Sequence, residues 1–409
     1  MNKRIILLAT LDTKGEEADF LKNQIEGLGD KVIIIDSGVV GKPTIKADIT
    51  REEVAIKGGI PLSDLLKNPT RERAAPVMAG GAIKIVKELE SNNKAHGIIS
   101  MGGTQGTSLA TEVMRTLPYG FPKVMVSTMA SSDVSVFIDI KDIVMIPSVS
   151  DILGLNPVLK KILANAAAAV SGMANTKIGI NISEKPLISI CNVGITTPGA
   201  VKAIELLKKC GYDTIVFHGV GSGGRAMEQM MRDGIIGAVF DYALVEISNN
   251  IYKGLNNGGP ERLTAAGKLG IPQVICPGGI EVLAFWIKEG EALPERWKGR
   301  EEIRHSSLIT TVRCNKEEML EAAKEVVKRL KYTRDRAVFM IPKGAYSLYS
   351  KKGMAFFDPD ANSAFADYIK ENLPDNFQII EIDSDLTDPE FVKEGVNQLI
   401  KLIEFRQNQ

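Results

Sequence analysis

Histidine and cysteine are scarce in this chain. Only three histidines and four cysteines are spread over 409 residues. Cys191, Cys210, Cys276 and Cys314 form no C-x-x-C pair, and His96, His218 and His305 stand far apart. No zinc or other local metal motif is therefore spelled in the sequence. Isolated cysteines are commonly buried core residues, and the chain reads as a reduced, cytoplasmic protein. An excess of either charge is also lacking, since 50 basic residues balance 50 acidic ones. That balance argues against a nucleic-acid footprint and against a membrane-surface helix. Long apolar runs are absent as well. The first run, residues 5–9, is too short for a signal peptide or a membrane span, and no other is long enough to cross a bilayer.

What is present is an ordinary globular composition, 44% hydrophobic and 24% charged. The length predicts two or three domains. Short apolar runs alternate with helical periodicity. Strands are expected at 4–9, 31–36, 97–100, 123–127 and 143–146, with helices at 16–28 and 156–173. Residues 174–186 lack a period and contain Gly and Pro. The strand–helix series then restarts, with strands at 187–191, 214–218, 235–241, 273–276, 308–312, 337–341 and 378–382. This pattern predicts an α/β fold of two Rossmann-like subdomains, each a mainly parallel sheet flanked by helices. The subdomains are placed at 1–183 and 184–409.

Open parallel sheets bind ligands beyond the carboxyl ends of their strands. Three turns of the first half occupy that position. The stretch "MGGTQGTSLATEV", residues 101–113, carries Gly102, Gly103 and Gly106 with the hydroxyls of Thr104 and Thr107. Glycines let backbone N–H groups approach a phosphate, and a helix start adds partial positive charge. No Gly-Lys-Ser/Thr follows, so this is not a Walker A loop. The first strand runs into Asp12, Thr13 and Lys14, a set suited to a phosphate with a divalent cation. After the fourth strand come Thr128, Ser131 and Asp133, the last a second candidate magnesium carboxylate beside Asp12. Helix N-capping is the alternative reading of each turn.

The second half has its own candidates for a substrate. Gly219, Gly221 and Gly224 fit G-x-G-x-x-G after a strand, and Asp241 ends the next strand where a ribose-binding carboxylate would sit. A dinucleotide such as NAD is thus a rival ligand. Ser222, Gly223 and Arg225 belong to the same turn, and Thr197 opens another helix. His218, Glu281, His305 and Arg313 are candidate acid–base or anion-binding groups.

Four motifs together carry a family resemblance: "LLATLDTKGEEADFL", "MGGTQGTSLAT", "STMASSDVSVFIDIKDIVM" and "HGVGSGGRAMEQM". Over essentially the whole chain they resemble the family of the N-terminal ATP-binding domain of a plant tobamovirus-resistance protein. Its bacterial members form an uncharacterised protein family. The resemblance implies ATP with Mg2+ on the first subdomain and a homodimer. By motif the nucleotide role falls on Asp12, Thr13, Lys14, Gly102, Gly103, Thr104, Gly106 and Thr107, and by extension on Thr128, Ser131 and Asp133. Ser132 stands where a glycine is expected in relatives. A small-residue helix around 164–169 offers a surface for a second copy or for its own sheet.

Three functional readings stay open at this level. One is an ATP-dependent phosphotransferase or ligase acting on a small acidic or hydroxylated metabolite in an inter-domain cleft. Another is a non-catalytic, nucleotide-regulated protein-binding module. The third is an NAD-dependent enzyme using residues 219–224.

Overall fold

A computed structural model describes residues 2–180, 185–288 and 290–407. Chain contacts divide the molecule into two units, Met1–Ile180 and Asn181–Gln409. The expected boundary between residues 183 and 184 lies outside the described residues.

The first unit runs β1 (Arg4–Ala9), α1 (Leu11–Gly27), β2 (Lys31–Asp36), α2 (Arg51–Gly58), α3 (Leu62–Leu65), α4 (Arg71–Ser91), β3 (Gly97–Gly102), α5 (Thr104–Arg115), β4 (Lys123–Ser127), α6 (Ser135–Ile138), β5 (Val144–Pro147) and α7 (Pro157–Ala174). Its strands lie in the order β2-β1-β3-β4-β5, and every pair is parallel. Side chains alternate across a strand, and both faces here are covered. Leu7, Ile99, Val124 and Val126 join the core on the face that also holds Leu21 of α1 and Leu163 of α7. Ile6, Leu8, Ile98 and Met125 join the opposite core with Val54 of α2, Ile85 of α4 and Val113 of α5. Two-sided burial is why these strands read as continuous apolar runs. The small residues Ala166 and Ala167 of α7 are fully buried in the first of these cores. That face of the helix therefore packs on its own sheet.

The second unit runs β6 (Ile188–Asn192), α8 (Thr197–Lys209), β7 (Thr214–His218), α9 (Ser222–Arg232), β8 (Ala238–Ala243), α10 (Val245–Ile251), α11 (Ala265–Leu269), β9 (Gln273–Gly278), β10 (Val282–Trp286), β11 (Glu302–Arg304), β12 (Ile309–Arg313), α12 (Lys316–Leu330), β13 (Ala337–Pro342), α13 (Pro359–Asn372), β14 (Phe377–Ile382) and α14 (Pro389–Gln407). The main sheet is parallel in the order β14-β13-β9-β8-β6-β7. A separate antiparallel sheet, β10-β12-β11, takes the strand expected at 308–312.

In both main sheets the first strand lies between the second and the third. The winding direction reverses there, at β1/β3 and at β6/β8. Ligands of doubly wound sheets bind beside such reversals. Among the described residues no helix is long and apolar enough to cross a membrane.

Candidate functional site

The turn after β3 stands at the reversal of the first sheet. Gly103 is the N-cap of α5, with φ −77°, and supplies no side-chain cap. The N–H groups of Thr104, Gln105 and Gly106 open the helix without intrahelical acceptors. Three glycines meet here for different reasons. A side chain on Gly102 would begin 3.0 Å from the Cα of Gly106, so strand and helix touch at that point. Around Gly103 the nearest atom to such a side chain is the Thr128 hydroxyl at 3.8 Å, and around Gly106 it is the Met101 carbonyl at 3.6 Å. Neither of these two glycines is required by packing or by a positive φ. They leave an open backbone surface at a helix start.

The hydroxyl residues of this turn have separate tasks. Thr107 is fully buried and donates to the Gly103 carbonyl at 2.9 Å. It also lies 2.6 Å from the Ser127 hydroxyl, tying α5 to the end of β4. Thr104 is exposed, with its hydroxyl 3.3 Å from the Met129 sulfur. The Thr128 N–H donates to the Gly102 carbonyl at 3.3 Å, which brings the β4 turn beside the glycine turn. Ser131 is exposed farther along that turn. Asp133 accepts the Ser135 N–H at 2.9 Å, and this bond lowers its pKa.

At the end of β1 the expected turn is already helix. α1 begins at Leu11, and Lys14 alone breaks its geometry with φ −130° and ψ 23°. The Lys14 ammonium donates to the Ile152 carbonyl, and Glu17 accepts the Gly154 N–H at 2.8 Å. Together they hold the segment after β5 over α1. Thr13 is exposed and pairs with Thr10, their hydroxyls 3.0 Å apart. Asp12 accepts the Gly41 N–H at 3.1 Å. It thus faces the loop after β2, while Asp133 lies beyond β4; β1 and β4 are separated by β3.

Sequence reading missed Asp36, the last residue of β2. It is buried and accepts the N–H groups of Leu11 at 3.1 Å and Gly38 at 2.8 Å. Burial raises its pKa, and the neighbouring Asp12 charge adds to the rise. A carboxylate closing an apolar strand, as in "KVIIID", was the available signal. Among the described residues no group of three or more His, Cys, Asp or Glu converges as a metal site. Asp12 and Asp36 both turn an oxygen toward Gly38, where a side chain would begin 2.8 Å and 3.0 Å from them.

The second glycine turn is built differently. Gly221 has φ +91°, a conformation that favours glycine. A side chain on Gly223 would begin 1.9 Å from the His218 carbonyl, and one on Gly224 would begin 1.9 Å from Glu246 Oε2. The N–H groups of Gly221 and Gly224 donate to Glu246 Oε1 at 2.6 Å and 3.1 Å. Those amides are therefore engaged. Asp241 is buried and bound by Arg262, whose Nη1 and Nη2 lie 2.6 Å and 2.5 Å from its two oxygens. His218, Ser222 and Arg225 are exposed. Glu228, Glu246 and Arg262 were not anticipated; a glutamate inside "DYALVEI" was the clue to a buried charge.

The other candidates stand elsewhere in the second unit. The Thr197 hydroxyl accepts from the Asn192 amide at 3.0 Å. Glu281 is fully buried, and its Oε1 accepts the Ser347 and Ser350 hydroxyls at 2.6 Å and 2.8 Å. Arg313 donates to the Asp358 carbonyl and the Asn362 side chain, each at 2.9 Å. His305 Nδ1 lies 3.0 Å from the Tyr349 hydroxyl. Two cavities of about 430 Å³ lie at the opposite, amino-terminal strand edges, one beside His96 and Pro122, the other beside Arg336 and Phe377.

Two parallel α/β units, each with a strand-order reversal, thus define a two-domain Rossmann-like protein. Models of an uncharacterised protein family, UPF0261, match residues 3–178 with the N-terminal domain and residues 185–403 with the C-terminal domain. The chain belongs to the UPF0261 family. A family member from Clostridium tetani is 42% identical over 99% of this chain and 100% of its own length. One from Rhizobium meliloti is 35% identical over 96% of this chain and 98% of its own. The ToMV susceptible protein tm-1(GCR26) of Solanum lycopersicum is 30% identical over 98% of this chain but only 56% of its own length. Among solved structures, a UDP-N-acetylglucosamine 2-epimerase from Rickettsia bellii aligns over 99% of this chain and 98% of its own, with 11% identity and a TM-score of 0.24. A likeness of that degree says nothing about activity.

Proposed function

We propose that this protein binds Mg-ATP at the turn after β3. The carrying observation is the pair Gly103 and Gly106, two glycines at an uncapped helix start that neither packing nor backbone geometry demands. A phosphate placed there would meet the free N–H groups of residues 104–106 and the positive end of α5. The motif resemblance to a plant ATP-binding domain supports ATP as the phosphate's source. Thr104 and Thr128 border the turn. Asp12 has the chemistry to hold a magnesium ion, a hard cation that takes oxygen ligands. Bound magnesium would neutralise phosphate charge. Lys14 would add a second positive charge from α1.

The reaction that fits this arrangement is an ATP-dependent phosphoryl transfer or ligation on a small acidic or hydroxylated metabolite, because such chemistry rests on positioning and charge neutralisation. A nucleotide-regulated binding module is the second reading. One observation favours it: none of the three histidines stands at the carboxyl edge of the first sheet, since His96 precedes β3 and the other two belong to the second unit. The dinucleotide reading draws no support from the 219–224 turn, whose Gly221 and Gly224 amides serve Glu246. Calorimetric titration of Mg-ATP tests the binding. Phosphate release, measured with and without a panel of hydroxy acids, separates the enzyme from the module.

A further inference from the structure

The glycine turn of the second unit is the motif that the proposed function leaves unused. Its amides nevertheless point at an anion. Glu246 is fully buried on α10, and its Oε1 accepts both Gly221 and Gly224. We propose that residues 219–224 form an anion seat whose ligand is the protein's own Glu246 carboxylate, so that no dinucleotide phosphate binds there.

The surrounding charges account for this occupant. Arg262 is fully buried among Asp241, Glu246 and Glu228, which are themselves almost wholly buried. Its Nε donates to Glu246 Oε2 at 2.7 Å, and its two terminal nitrogens grip Asp241. Glu228 Oε1 is farther away, 3.4 Å from Nη1. One guanidinium thus faces three carboxylates. Backbone N–H groups compensate the rest. The Glu246 carboxylate, carried by α10, meets the N-cap amide that opens α9, and Glu228 accepts the N–H groups of Leu263 at 2.5 Å and Ala265 at 2.7 Å. Helix starts favour negative charge. A phosphate entering the turn would have to displace Glu246 and sit beside Asp241 and Glu228, at the cost of like-charge repulsion in a buried setting. Gly224 follows from the same geometry, because a side chain there would collide with the resident carboxylate.

The test is chemical rescue in the full chain. Glu246→Ala removes the resident anion and leaves a space open to formate. Melting is compared in sodium formate and in sodium chloride at equal ionic strength. Formate should raise the Tm of Glu246→Ala by about 2–4 °C more than that of the wild type. If this variant folds only poorly, its refolding yield in the two salts gives the same comparison, with formate expected to increase it. Glu246→Gln sets an uncharged amide against Arg262; it should melt below the wild type and show no extra response to formate. Equal responses of the wild type and Glu246→Ala would overturn the proposal. So would a Glu246→Gln protein as stable as the wild type, or NAD binding by the wild type that Glu246→Ala strengthens no further. None of these readouts depends on whether ATP binds the first unit.

Discussion

The hydroxyl of Thr107 lies 2.6 Å from that of Ser127, inside the first unit and out of reach of solvent. This contact fixes the first turn of α5 against the end of β4, so the glycine turn is set by the core beneath it. Thr107→Val keeps the shape and removes the hydroxyl. It should lower stability by about 1–3 kcal/mol, the range for disrupting a buried polar pair. Urea unfolding measures the loss as a lower midpoint at unchanged slope.

Lys14 bonds the Ile152 carbonyl, and its ammonium has further donors for a phosphate. Lys14→Ala should weaken Mg-ATP binding by about ten- to a hundredfold, as expected for a charge-assisted contact of about 1.5–3 kcal/mol. Calorimetry and melting are read together. A lower Tm with unchanged affinity would make Lys14 a strut for the segment after β5 and nothing more.

Asp36 gives a dependence on pH. Burial raises its folded pKa above the unfolded value. Between those two pKa values the folded state binds more protons than the unfolded one, so the group's contribution to stability falls as pH rises through the folded pKa. Both of its N–H partners meet Oδ1, and Asp36→Asn can keep them. The variant should match or exceed the wild type in Tm at pH 7, and its advantage should shrink as pH falls toward the unfolded carboxylate range. Calorimetric melting across pH 4.5–7.5 checks this; an advantage that grows on acidification would contradict it.

Some of this architecture was readable from the sequence and some was not. The strands at 4–9, 31–36, 123–127 and 214–218 coincide with β1, β2, β4 and β7. Two-sided burial forces uninterrupted apolar runs in β1 and β4, whereas β7, an edge strand with Val216 exposed, was marked by its β-branched and aromatic residues. The start of α1 was misplaced: Thr10, Asp12 and Thr13 look like turn residues, yet the helix begins at Leu11. The 308–312 strand gave no hint of its antiparallel partners, since pairing is decided by distant chain segments. The two glycine turns looked alike. Glu246, 22 residues beyond Gly224, distinguishes them only after folding brings it to the amides.

The central claim is that Gly106 is glycine for a ligand's sake. An alanine there has room, with the nearest atom at 3.6 Å. In a helix, Gly→Ala should add about 0.5–1 kcal/mol of stability. The same methyl would stand in the path of a phosphate. Gly80→Ala, in open space on α4, is the matched control. The deciding measurement is Mg-ATP titration by calorimetry into wild type, Gly106→Ala and Gly80→Ala, each with its Tm. The account predicts that both variants melt higher and that only Gly106→Ala loses affinity, by about tenfold or more, or 1.4 kcal/mol. A Gly106→Ala protein that is more stable and binds Mg-ATP as well as the wild type would contradict it.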